Sequence, residues 1–375
     1  MSDPFPKNLE IWFRRKLVRI LGFVFSRNAA QPHGLDYNGC KFLFIRQDMI
    51  GDVLVSTPLF AMLKNRYPHA VIDVLLSAKN HFVLENDPAV RKRWIYRKNI
   101  REIFPFLRAI RKERYDFAVD LMDNPSATST ILCLLAGARW NVGIAKENQF
   151  SYDIVVPLLS RRNTHIVERI AQLLIPFGID PETERIAIRY HPSRESEGFA
   201  DQTLDALNPG GRPVIGVNLS AGGEVRYWGT DHFIQFTRLL LTKYPEYAVL
   251  LLYKPAYFER AKTIAGSASG VLLSPVTKSF DQFAALIRRL SLLITPDTSA
   301  VHLASAFHIP AVVLYVQSDK GLRIWEPYGT EYETLVTDVD DLRTIPVADV
   351  ATATEKLLQR VARATNSNPR STAGK

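Results

Sequence analysis

Short apolar, β-branched runs alternate with longer amphipathic ones along most of this chain, and that rhythm constrains its fold more than any other feature. Residues 42–46 precede a helical pattern over 53–66, residues 71–76 come next, and 117–121 gives way to 127–135. Strands this short and this apolar belong in a parallel sheet covered on both faces, and the helices between them are the crossovers. Residues 192–211 then turn polar and rich in Ser, Glu, Asp, Pro and Gly, and the alternation restarts at 214–219. Further apolar runs at 248–253, 292–295 and 311–315 are separated by helical stretches at 231–243, 256–267 and 279–290. At 375 residues and 47% hydrophobic, the chain can give each of two domains its own core. The expectation is an α/β protein of two Rossmann-like domains facing across a cleft. They cover 41–195 and 213–365, with a linker at 196–212 and a disordered tail at 366–375.

Charge and cysteine narrow the setting. The formal charge of +9 favours an anionic partner. Cys40 and Cys133, the two cysteines, are too far apart in sequence for a disulfide framework or a cysteine metal site, which fits a reducing cytoplasm. Beyond residue 30, no apolar stretch approaches the roughly 18 to 20 residues needed to cross a bilayer. Within residues 1–30, Phe13, Leu17, Ile20, Leu21 and Val24 share one helical face opposite Arg15, Lys16 and Arg19. That pattern predicts a basic amphipathic helix, suited to lie at an anionic membrane surface or to dock on the protein itself.

Ligands of open parallel sheets bind at the carboxyl ends of the strands, so the loops after strands carry the chemistry. The first loop holds Arg46, Asp48, Gly51 and Asp52. Gly51 permits a tight turn, and Asp52 falls at the start of the next helix. An aspartate there serves as a helix cap or, if it faces the cleft, as a general base; Asp48 is the second candidate. The loop after residue 219 carries Ser220, Gly222, Gly223 and Arg226. It reads either as a plain turn or as a phosphate cradle, with glycine N–H groups, a hydroxyl and a guanidinium. After the run at 292–295 come Asp297, Thr298, Ser299 and His302 at the start of a helix. Asp297 and His302 there are a cap and a buried histidine, or they serve a diphosphate held at the helix's positive end. Asp319 and Trp325 follow the next strand and are candidates for the same cleft. No dinucleotide fingerprint, P-loop, zincin motif or clustered set of metal ligands is present, so dehydrogenase, P-loop and zinc-hydrolase readings lose support.

Taken in order, these loops resemble glycosyltransferase family 9, the ADP-heptose:lipopolysaccharide heptosyltransferases. The resemblance rests on Arg46, Asp48, Gly51 and Asp52, on Thr57-Pro58, on the segment ending at Trp228, on Asp297, Thr298 and His302, and on Ser318-Asp319 with Trp325. It covers roughly residues 41–330, and the first loop is most similar to the branch that adds the third inner-core heptose. The resemblance implies a GT-B architecture and inverting transfer that needs no metal or other cofactor. It also implies an acceptor domain followed by a nucleotide-sugar domain, and a location at the cytoplasmic face of the inner membrane. It makes Asp52 the catalytic base. Ser220, Gly222, Gly223, Arg226, Asp297, Thr298, Ser299 and His302 become the site for ADP-heptose, and the acceptor is a phosphorylated, lipid-anchored saccharide. This chain departs from the family pattern in having Arg226 where lysine is frequent, Gly229 where proline is frequent, and Tyr315-Val316 for phenylalanine-glycine.

Two other readings stay open at this level. One is a related transferase using another sugar nucleotide. The other is a non-catalytic membrane-surface protein of the same fold, motivated by the basic clusters at 91–93 and 108–114. Nucleic acid is disfavoured as a partner, because the basic residues belong to no recognition module.

Overall fold

The first apolar run forms β1 (Lys41–Ile45), buried at every residue after Lys41. Burial on both faces is why it lacks the polar alternation of a surface strand. It is joined by β2 (Val71–Ser77), β3 (Lys92–Tyr96), β4 (Phe117–Asp120), β5 (Trp140–Ile144) and β6 (Ile154–Val156). All pairings are parallel, in the order β3-β2-β1-β4-β5-β6. The computed structural model describes residues 16, 20, 32, 34–97, 99–317, 319 and 321–367. Apart from Lys16 and Ile20, the amphipathic segment 1–30 lies outside them, as does Ser318.

The helices of this unit are α1 (Ile50–Arg66), α2 (Ile100–Lys112), α3 (Ala127–Ala136) and α4 (Ile166–Ala171). α1 is buried without a break from Val53 to Leu63 although Pro58 lies inside it. Proline cannot donate the helical bond to the Leu54 carbonyl, and the Thr57 hydroxyl donates to that oxygen at 2.7 Å. The Thr57-Pro58 pair therefore keeps a proline within a buried helix without orphaning a carbonyl.

The second unit consists of α5 (Arg194–Leu207), β7 (Val214–Asn218), α6 (Thr230–Lys243), β8 (Ala248–Leu252), α7 (Phe258–Ser267), β9 (Val271–Leu273), α8 (Phe280–Arg288), β10 (Leu292–Pro296), α9 (Ser299–Phe307), β11 (Ala311–Val316), β12 (Tyr332–Thr337) and α10 (Val347–Ser367). Its parallel sheet runs β12-β11-β10-β7-β8-β9. Both sheets follow one plan. The chain begins at the centre, builds outward through three strands, returns to the centre and builds outward the other way. Strand order therefore reverses between β1 and β4 in one unit and between β7 and β10 in the other. At such a reversal the loops leaving neighbouring strands diverge and open a crevice.

The chain divides between Ile186 and Ala187. Residues 194–207, read from sequence as the polar end of one domain and a linker, form α5 instead. Ser193 caps it by accepting from the Ser196 N–H at 3.2 Å, Glu195 and Glu197 occupy its first turn, and Ala200 and Thr203 are buried. The polarity of this stretch is that of a capped, half-exposed helix rather than a linker. Arg289 fixes it to the end of α8 through a two-bond pairing with Asp201. At the other end, α10 runs through Ser367, so the first two residues of the expected disordered tail are helical. Among the described residues, no helix is long and apolar enough to cross a membrane.

Candidate active site

The strand reversal of the first unit is organised by Arg46, which follows β1 and is 1% exposed. Its Nη1 donates to the Leu121 carbonyl at 2.6 Å, just past β4, so one side chain ties together the two loops that diverge. Its Nε donates to the Asp52 carbonyl at 2.9 Å and Nη2 to Asp52 Oδ1 at 3.2 Å. Asp48 Oδ1 lies 3.4 Å from Nε. The third residue of α1 is Asp52, whose Oδ2 accepts from the Met49 N–H at 3.0 Å. It is thus a helix cap and also a partly exposed carboxylate at the strand ends, so the structural role does not exclude a chemical one. Gly51 lies within the first helical turn and has no positive φ. The chain bends at Asp48 instead, and Met49, the residue before the helix, is extended.

Burial pushes the Asp48 carboxyl up to about 7 against the opposing pull of Arg46, and the charges of Asp52 and Asp120 add to the rise. Asp120 ends β4 and is fully buried. It accepts from Lys146 Nζ at 3.0 Å, from the Tyr152 hydroxyl and from the Met122 N–H. The sequence reading passed over this Asp120–Lys146 pair. Its one local signal is an aspartate at the end of an apolar strand, and the partner lysine is 26 residues away.

In the second unit, Asn218 spans the reversal. From the end of β7 its Nδ2 donates to Thr295 Oγ1 on β10 at 2.9 Å and reaches Thr298 Oγ1 at 3.4 Å, and its Oδ1 accepts from the Ser220 N–H. Asn218 was also missed by sequence reading. Ser220 Oγ accepts from the Lys254 N–H at 2.8 Å, which leaves its own proton available to a ligand. Lys254 Nζ donates to the Ala221 carbonyl, placing a second cation beside the loop that was read as having Arg226 alone. Gly223 is extended at φ 167°, and Gly222 has no positive φ. A Cβ at Gly223 would meet nothing within 4 Å and one at Gly222 only the Arg226 side chain at 3.7 Å, so the fold itself does not demand glycine at either position. Gly229, by contrast, has φ +107°, which the ring of proline forbids. Its neighbour Trp228 is fully buried and donates from Nε1 to the Ile345 carbonyl at 2.9 Å.

Thr298, not Asp297, caps α9, accepting from the Ala300 N–H at 3.3 Å. Asp297 is one residue earlier, with Arg226 Nη1 3.4 Å from its Oδ2. Burial raises its carboxyl above the usual range, and Arg226 opposes the shift. Ser299 opens the helix, half-buried, and His302 is 4% exposed, its ring 6.1 Å from that of Trp325. Asp319 is exposed and shapes the loop after β11 by accepting from the Gly321 N–H. No contact recorded among the described residues brings it to Asp297. At the carboxyl ends of β8 and β9 opens a pocket of about 540 Å³, which none of these candidate residues lines. Phe199, Thr203, Tyr253, Phe258, Ser274 and Val276 line it.

The basic cluster at 91–93 is neutralised within its own unit. Arg91 pairs with buried Asp73 and with Glu113, Lys92 with Glu113, and Arg93 with Glu85. It offers no free block of charge to a membrane.

Comparison with known proteins decides the family. The sequence profile of glycosyltransferase family 9 (heptosyltransferase) matches residues 103–344. The chain belongs to glycosyltransferase family 9. It is therefore a glycosyltransferase, with two Rossmann-like domains of the GT-B class. The transferase is 27% identical over 340 residues to lipopolysaccharide heptosyltransferase 3 of Escherichia coli, covering 82% of this chain and 96% of that one. It is 25% identical to lipopolysaccharide heptosyltransferase 2 of E. coli K12, over 73% of this chain and 82% of the relative. Among solved structures, a family 9 transferase from Veillonella parvula superposes with a TM-score of 0.74 at 19% identity, over 88% of this chain and all of that one. E. coli heptosyltransferase WaaC with ADP-2-deoxy-2-fluoro heptose gives 0.67 at 17%, over 84% and 99%.

Proposed function

We propose that the enzyme transfers heptose from ADP-heptose, with inversion, to the inner core of lipopolysaccharide, and that the transfer needs no metal. The observation that carries this reading is that both motif loops fall at the strand reversals of their sheets, each bearing groups suited to one half of the reaction. In the amino-terminal unit, Asp52 takes the proton from the acceptor hydroxyl as that oxygen bonds to the anomeric carbon. The bond from that carbon to the diphosphate oxygen breaks with its electron pair, and ADP leaves. In the carboxyl-terminal unit, Arg226, the Ser220 hydroxyl and the amino end of α9 meet the charge that collects on the diphosphate. Thr298, Ser299 and His302 surround that helix end, and Asp297 suits the sugar hydroxyls. The 540 Å³ pocket is of a size and aromatic lining that suit a nucleoside.

The donor assignment is tested by thermal shift with ADP, UDP, GDP, CDP and ADP-heptose on the wild type and on Asp297→Ala. A ligand bound only by the native state raises its stability, so the ADP compounds alone should raise Tm, and the variant should lose the gain from ADP-heptose. A larger gain with another nucleotide would replace the heptose donor by a different sugar nucleotide.

Residues 1–30 carry a second part of the proposal, peripheral contact with an anionic membrane, supported by their basic amphipathic sequence. Removing residues 1–28 should weaken sedimentation with anionic liposomes and leave transfer to a soluble acceptor intact. Unchanged sedimentation would end the membrane role.

A further inference from the structure

Around the first strand reversal, two buried cations face three carboxylates. Arg46 and Lys146 are 1% and 2% exposed, and Asp48, Asp52 and Asp120 surround them. The three carboxylates are not served equally. Asp120 receives an ammonium, a phenol and a backbone N–H. Asp52 receives a guanidinium and a backbone N–H. Asp48 Oδ1 is buried, lies 3.4 Å from a guanidinium already committed to Asp52, and has no hydrogen-bond partner among the described residues. Asn80, facing it from the loop after β2, donates to the Asp48 backbone carbonyl at 3.4 Å rather than to the carboxyl. Buried charge persists only where it is paired, so the cluster balances with one proton retained, and Asp48 is where it is cheapest to keep.

We propose that Asp48 is the positioning partner that sets the strength of the base. Protonated, it leaves Arg46 to Asp52 alone; ionised, it competes for Arg46 and makes Asp52 the stronger proton acceptor. The inference rests on Asp52 being the base. Loss of the Asp48 proton is placed near neutrality, at about 7, so the enzyme would gain rate as pH rises through that value.

The sign of the stability effect follows from the same raised value. Between an ordinary aspartate's range and about 7, the folded chain holds a proton on Asp48 that the unfolded chain has released. Stability from this group is complete at acid pH and is lost as pH rises through about 7.

The experiment compares wild type with Asp48→Asn, using ADP-heptose and a deacylated inner-core saccharide, across about pH 5 to 8.5 in steps where ordinary carboxylates are already ionised. Wild-type kcat/KM should rise by about threefold or more around neutrality, and the variant should be flat there. Independently of turnover, the Tm difference, variant minus wild type, should grow as pH rises from about 5 towards about 7 and level off above it. A neutral step that persists in the variant, or a Tm difference constant with pH, would overturn the proposal. Asp48→Ser gives the same comparison if the asparagine variant folds poorly. Failure of the base assignment reads out differently, as near-normal turnover by Asp52→Asn.

Discussion

Asp52→Asn is expected to lower kcat by about 10²- to 10⁴-fold, while ADP-heptose raises Tm as much as it does for wild type. The asymmetry follows from where the residue sits. The carboxylate belongs to the amino-terminal unit, and the groups proposed to hold the diphosphate all belong to the other. Asparagine keeps an oxygen able to accept from the Met49 N–H, so the start of α1 should survive the change. What it cannot do is take a proton, and that matters in the transition state rather than in the bound ground state. Single-turnover rates with preloaded donor would separate the two. A variant within about fivefold of wild type would remove Asp52 from the chemistry, given what a positioned base contributes.

Trp228→Ala should destabilise the protein by about 3 to 5 kcal/mol, a large share of a domain's stability. The indole is fully buried against Phe233 and Phe236, with ring centroids at 5.2 and 5.6 Å. Its removal would leave a cavity and strip the Ile345 carbonyl of its donor. Arg226 lies two residues before it in a short 3₁₀ turn, so the anchor that fixes the core also holds the loop proposed to meet the donor. Urea unfolding should show the loss, and the ADP-dependent gain in Tm should shrink with it. A cost below about 1 kcal/mol would mean the site collapses around the missing ring and the loop has another anchor.

The strands and the two motif loops were legible because their signals are local. An apolar run ended by a loop with Asp52 or Asp297 needs only a dozen residues to recognise. β3, β5, β6, β9 and β12 were missed: β6 and β9 have only three residues, the edge strands β3 and β12 are only half-buried, and β5, though buried, is interrupted by Asn141 and Gly143. The pairings that hold the site were out of reach for another reason. Asn218 meets Thr295 across 77 residues and Arg46 meets Leu121 across 75. No periodicity records a hydrogen bond between distant positions. Glycine was read as the maker of a tight turn at position 51, where no positive φ is used. Gly229, noticed only as a departure from the family pattern, is where the backbone demands it.

The single amide of Asn218 has a mechanical consequence. One side chain holds the wall that leads to Ser220 and the wall that leads to Thr298. A rivet of this kind keeps two jaws at fixed gauge: when a ligand pulls on the loop after β7, the cap of α9 is carried with it. On the proposed function, the second unit would then grip its donor as one tool rather than as two fingers that close independently.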